Sequence, residues 1–229
     1  MTDANPAGAG GTGVVDSPPT SASRGRRPST TREQIARQAL DLFDRDGFDA
    51  TTVDRIATAA GISRRTFFRY YNSKRDVVWG EFDAELVRLR DQLVGAPRDE
   101  PMMDVLRRAV VATNRFGAGE LDELRIRMGL ISTVPALVAH SAVRYAEWCE
   151  VVADFVAGRI GGPPGGLGPQ TVARAALGTA MAAFACWANH DTDDLTGEVD
   201  EAFRLLGDGF DEDRLRIWAS QDRSRIPAT

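Results

Sequence analysis

Four helix-start signals and two glycine stops fall between residues 30 and 76. This punctuation restricts the fold more than composition does. Thr30-x-x-Glu33, Thr51-x-x-Asp54, Ser63 and Ser73-x-x-Asp76 each place a side-chain oxygen where the unpaired N–H groups of a first helical turn need an acceptor. Behind the first signal, Ile35, Ala39, Leu42 and Phe43 recur at helical spacing, predicting a helix over 31–46 that stops at Gly47. A second, short helix turns Val53, Ile56, Ala57 and Ala60 inward and is broken by Gly61. A third runs from Ser63 to Tyr70. Two short helices joined by a tight glycine turn and laid on a longer one predict a helix-turn-helix.

The remaining chain also reads as helical. The fourth signal predicts one continuous helix from Ser73 to Gly95, with Val78, Phe82, Leu86, Leu89 and Leu93 on one stripe. Five more are predicted: 102–116, 121–132, 135–160, 170–189 and 196–210. Gly161 to Pro169 reads as a loop, and no period-2 segment of useful length suggests a sheet. The predicted fold class is therefore all-α: a three-helix N-terminal domain over 29–75, then a six-helix domain over 76–211. A Gly/Ala/Ser/Pro-rich leader with a basic arm is predicted over 1–28, and a polar tail over 212–229. The leader lacks the apolar core of a signal peptide. The apolar run 175–188 is too short to span a bilayer and predicts a buried helix, so no membrane partner is expected and the cytoplasm is the expected location.

Charge is distributed unevenly. Twelve Arg and Lys stand against six Asp and Glu between Arg24 and Arg75, so the rest must carry about −11 to reach the net charge of −5. A basic block on an acidic body can hold phosphate locally while the body resists non-specific contact. In a helix-turn-helix the second short helix enters the major groove, and here it reads Ser63-Arg64-Arg65-Thr66-Phe67-Phe68-Arg69-Tyr70. Arginine can donate two hydrogen bonds to guanine O6 and N7, and a threonine methyl can meet a thymine methyl. Tyr70 and Lys74, the only lysine in the chain, suit phosphate beside a capped helix start. Arg26 and Arg27 in the arm serve either to solubilise or to reach the minor groove.

The segment T-T-V-D-R-I-A-T-A-A-G-I-S-R-R-T-F-F-R-Y-Y-N-S-K, from Thr51 to Lys74, resembles the DNA-binding domain of the TetR family, and the likeness extends back to Thr31. The resemblance implies a nine-helix homodimeric repressor on palindromic double-stranded operator DNA. By position, Arg64, Arg65, Thr66 and Arg69 would face bases, while Thr52, Tyr70 and Lys74 would meet phosphates. Two departures stand out: Phe68 replaces the usual tyrosine, removing the hydroxyl of one usual phosphate contact, and Tyr70 stands where histidine is frequent. G-R-R-P-S-T-T, T-F-F-R-Y-Y and W-G-E-F-D further resemble actinobacterial regulators of the mycofactocin system, a neighbourhood linked to fatty acyl-CoA sensing.

That resemblance implies an effector pocket among the middle helices. Phe116, Met128, Ile131, Trp148, Val152 and Phe155 are its candidate lining, although the same residues would serve equally as closed core. Arg125, Arg127 and Arg144 are the candidate rim for the phosphates of a long-chain acyl-CoA. On the last two helices, Ala176, Ala180, Ala183, Phe184 and Trp187 form one stripe and Val199, Phe203, Leu206 and Phe210 another, and the family pattern makes these a dimer interface. No enzyme, metal or cofactor is expected. His140 and His190 are far apart, the glycine runs 8–13 and 161–168 lack the Gly-Lys-Ser/Thr ending of a phosphate loop, and no nucleophile–base set can be assembled. Cys149 and Cys186 sit in apolar helical sequence and read as small hydrophobes in a reducing compartment.

Overall fold

The computed structural model describes residues 31–190 and 194–209, and among them every regular element is helical. The leader with Arg26 and Arg27, the tail 212–229 and Phe210 lie outside the described residues. The helices are α1 (Arg32–Asp46), α2 (Val53–Ala59), α3 (Arg64–Tyr70), α4 (Lys74–Trp79) and α5 (Phe82–Val94). They continue with α6 (Met102–Thr113), α7 (Ala118–Thr133), α8 (Pro135–Ile160), α9 (Leu167–Asn189) and α10 (Leu195–Asp208).

The caps form as anticipated, with one-residue shifts. The capping box on α1 is Thr31 with Gln34, one residue past the predicted pair. For α2 the N-cap is Thr52, whose hydroxyl accepts from the Arg55 N–H at 3.3 Å. Thr51 is instead fully buried, its hydroxyl placed 2.8 Å from the Gly47 carbonyl and 3.2 Å from that of Leu42. Gly61 has φ +67°. Around it the Ile62 N–H reaches the Ala57 carbonyl (2.9 Å) and the Gly61 N–H that of Thr58 (3.1 Å), a Schellman closure that needs a left-handed residue.

One predicted helix is two. The Ser73–Gly95 element breaks at Gly80, which has φ +58° and ψ −124°, so ten helices are described where nine were expected. The cause lies far along the chain. The Arg127 guanidinium of α7 donates to the carbonyls of Val77 and, at 2.8 Å, Val78, taking acceptors that a continuing helix would use. A Cβ at Gly80 would stand 3.1 Å from Arg127 Nη1.

Two cores result. The N-terminal one joins Ile35, Leu40, Phe43, Ile56 and Phe67 to Val77, Val78 and Trp79 of α4, and it also takes Ile131 and Leu137 from α7 and α8. The larger one is built from α5 to α10, with Val152, Trp187 and Phe203 near its middle. Met128 packs against both. Between α7 and α8 the axis turns by 102° at Val134, and Pro135 starts α8, where its missing N–H costs nothing.

The predicted dimer stripe points inward. Ala176, Ala180, Ala183, Trp187, Val199 and Phe203 are buried within the protomer, while Phe184 and Leu206 are half-buried against the same core. The reason is that α9 and α10 pack on each other, and α9 also on α8. Their most regular apolar stripes are consumed there. The outward face of α9 carries Gly178, Met181, Ala182, Ala185 and Cys186, all exposed. By length and a mean hydropathy of 1.2, α9 could cross a bilayer, but one of its faces lies against α8 and α10.

Candidate nucleic-acid interface and a groove in the C-terminal body

The recognition helix α3 is anchored from beneath. Phe67 is fully buried, with the Tyr71 ring 5.7 Å away and the Phe68 ring edge-on at 5.5 Å. Tyr71 donates its hydroxyl to the Arg32 carbonyl at 2.9 Å, and burial pushes that phenol above its ordinary range. These ties leave Arg64, Arg65, Phe68 and Arg69 exposed on one surface. The Ser63 hydroxyl caps the helix by accepting from the Thr66 N–H at 3.0 Å, and the two hydroxyls lie 2.9 Å apart.

The three arginines differ in state. Arg64 pairs with Asp54 of α2 at 2.8 Å and lies over the Phe68 ring at 5.3 Å. Arg69 lies over the Tyr70 ring at 5.0 Å and donates to its hydroxyl at 3.3 Å. For Arg65, no ion pair or hydrogen bond joins it to another described side chain, which leaves its five donors available. Phe68 is 43% exposed, an unusual solvent presentation for a phenylalanine and suited to an apolar contact with a base edge.

Lys74 is engaged within the protein. Its ammonium donates to the carbonyls of Phe48 (2.6 Å) and Thr51 (3.0 Å), with that of Asp49 at 3.4 Å, and sits 4.3 Å from the Phe48 ring centroid. Desolvation lowers its pKa below the ordinary lysine value, with Asp49 opposing the shift.

In the body, the expected pocket residues separate. Ile131 belongs to the N-terminal core and Val152 is fully buried. Phe116, Met128 and Trp148 are half-buried against the packed interior. The expected rim is also otherwise occupied. Arg125 stacks on Trp187 at 4.3 Å, Arg127 holds the end of α4, and Arg144 pairs with Asp83 and Glu147. Burial lowers the Arg127 pKa, against the opposing pull of Glu123.

An open cavity of about 310 Å³ lies instead between the end of α5 and the second half of α8. Leu93, Val94, Ala96, Val151 and Phe155 give it an apolar lining, and Arg90, Arg98, Arg159 and Asp154 its polar one. Of the six residues expected to line a pocket, Phe155 is the one that does so here. Arg159 is fixed by three carbonyls, Pro97 (2.6 Å), Arg98 (2.9 Å) and Glu100 (3.0 Å), with its guanidinium 5.2 Å from the Phe155 ring centroid. Reading by sequence missed Tyr71 and Arg159, took Thr51 for the cap of the second helix, and placed Arg127 on a ligand rim where the structure has it on the end of α4. Among the described residues no group of three or more His, Cys, Asp and Glu could hold a metal ion.

Residues 35–78 match the bacterial regulatory proteins of the tetR family, and residues 100–211 match the MftR C-terminal domain. The protein named mycofactocin biosynthesis transcriptional regulator MftR, from Mycobacterium tuberculosis, is 43% identical over 82% of this chain and 94% of its own length. The transcriptional regulator TcmR of Streptomyces glaucescens is 32% identical over 60% of this chain and 64% of its own. Among solved structures, the Thermus thermophilus repressor FadR in complex with lauroyl-CoA is 25% identical, with a TM-score of 0.50, covering 77% of this chain and 93% of that one. The chain belongs to the TetR family of transcriptional regulators and carries the MftR type of C-terminal domain.

Proposed function

We propose that this regulator is a homodimeric repressor in the bacterial cytoplasm, bound to a palindromic operator and released by a fatty acyl-CoA. The observation that carries the effector reading is the α5–α8 groove, an apolar floor bordered by Arg90, Arg98 and Arg159. A thioester with an alkyl chain and phosphates matches that division: chain on Leu93, Val151 and Phe155, phosphates toward the guanidiniums. The lauroyl-CoA bound by the Thermus repressor supports the same class. Base contacts fall to Arg65, Arg64, Thr66 and Arg69, and phosphate contacts to Thr52 and Tyr70.

Release requires the ligand to prefer the DNA-incompetent dimer, typically by about 1–3 kcal/mol. The test is titration of the protein on its operator with acyl-CoAs of increasing length. Affinity should rise with chain length until the groove is filled, since each buried methylene contributes about 0.8 kcal/mol. If no chain length weakens DNA binding, or coenzyme A alone does so equally, the effector assignment fails and the DNA-binding assignment stands. A second reading, a regulator without effector, is favoured by the packing of Phe116, Met128 and Trp148 against the core. That reading predicts the first of those two negative outcomes.

A further inference from the structure

Lys74 begins α4, yet its ammonium lies in the α1–α2 connection, more than twenty residues back along the chain. An ammonium has three N–H donors and no acceptor. The carbonyls of Phe48, Asp49 and Thr51 supply three acceptors, and the Phe48 ring covers the cation at 4.3 Å. This connection, residues 47–52, lies between helices, and its Asp49 and Thr51 carbonyls take the Lys74 ammonium as donor. The Thr51 hydroxyl ties it to the end of α1, and Lys74 ties it to α4. Thr52, the exposed cap of α2, follows directly on the Thr51 carbonyl that Lys74 holds.

We propose that Lys74 is a positioning residue: it locks the α1–α2 connection onto α4, setting where α2 starts and how α2 presents α3, and it contacts no phosphate in the DNA complex. Taking a phosphate would require the ammonium to leave two partly buried carbonyls at 2.6 and 3.0 Å, that of Phe48 keeping only its longer bond from the Thr51 N–H (3.3 Å).

Because Lys74 is the only lysine, amine chemistry reads it separately from the N-terminal amine once peptides are resolved by mass. The full chain is treated with an acetylating reagent, alone and saturated with a duplex that the protein itself has selected from a random pool. Lys74 should react at least tenfold more slowly than the N-terminal amine corrected for pKa, and DNA should change its rate less than twofold. Fast reaction in the free protein with strong protection by DNA overturns the proposal. Salt dependence gives a second readout. Lys74→Met should weaken binding on the order of tenfold with an unchanged slope of log affinity against log salt, and Lys74→Arg should restore most of it. A slope smaller by about 0.9 for each contact removed means that a phosphate was lost and overturns the proposal. If Lys74→Met does not fold, the labelling and Lys74→Arg, both read on folded protein, decide.

Discussion

Arg64 and Arg65 are adjacent in sequence, identical in chemistry and different in readiness. To meet a base Arg64 would have to leave Asp54, whereas Arg65 has no ion pair among the described residues to break. An exposed pair such as Arg64–Asp54 is worth about 0–1 kcal/mol, a modest but real subtraction from whatever Arg64 gains on DNA. Arg65→Ala should therefore cost about 1–3 kcal/mol on the selected site and relax preference at one base pair, and Arg64→Ala should cost less. Binding measured on the selected duplex and on single-base variants checks this, and equal losses on all sequences would place Arg65 on a phosphate. The run of arginines on one exposed helix was legible because helical spacing is local. The Asp54 partner was not, because it belongs to a different helix whose angle to α3 depends on packing.

At the level of elements, caps and glycine stops were readable to within a residue because a cap is chemistry between neighbours three apart. The break at Gly80 was hidden, since Val78, Phe82, Leu86, Leu89 and Leu93 keep helical spacing straight through it. At the break the Arg127 guanidinium takes the Val77 and Val78 carbonyls, and the same helix joins the two cores. Through Arg127 the body's α7 grips the last turn of α4, while Ile131 of the same helix is buried in the DNA-binding core. The proposed ligand in the α5–α8 groove would press on α5, which meets α4 at the Gly80 hinge and through the Phe82 ring edge-on to Trp79 at 5.4 Å. Replacing Arg127 by Met takes the guanidinium donor from two partly buried carbonyls and should cost about 2–3 kcal/mol, a Tm fall of roughly 5–10 °C for a chain of this size. The variant should still bind the selected duplex, but acyl-CoA should release it less completely. If release is unchanged at matched occupancy of the groove, the Arg127 grip is structural and coupling runs elsewhere.

For the whole molecule, α9 poses the question of what covers its second face. The sequence pattern identified the helix and its apolar character, but spacing reports that a stripe will be covered and not by which neighbour. Within the protomer α8 and α10 cover Ala176, Ala180, Ala183 and Trp187, and the outward residues Gly178, Met181, Ala182 and Ala185 remain exposed, Met181 by 45%. The outer side of α10, by contrast, carries charged Arg204 and Asp208, as a solvated face does. An apolar helix with one side uncovered is a surface for another protein chain, and small residues allow a second α9 to approach closely. Two recognition helices must also stand about 34–36 Å apart to meet successive half-sites, which one protomer cannot provide. Ala185→Asp should therefore yield a helical monomer in sedimentation at micromolar concentration. Its operator affinity should fall by about 10²–10⁴-fold, because the second half-site would no longer be met at high effective concentration. Ala180→Asp makes the contrast, placing a charge in the buried interior, where it should lower Tm and helical content instead. An Ala185→Asp protein that stays dimeric and binds normally would remove α9 from the interface and send the search to the exposed apolar residues of α8, Val138 and Val143.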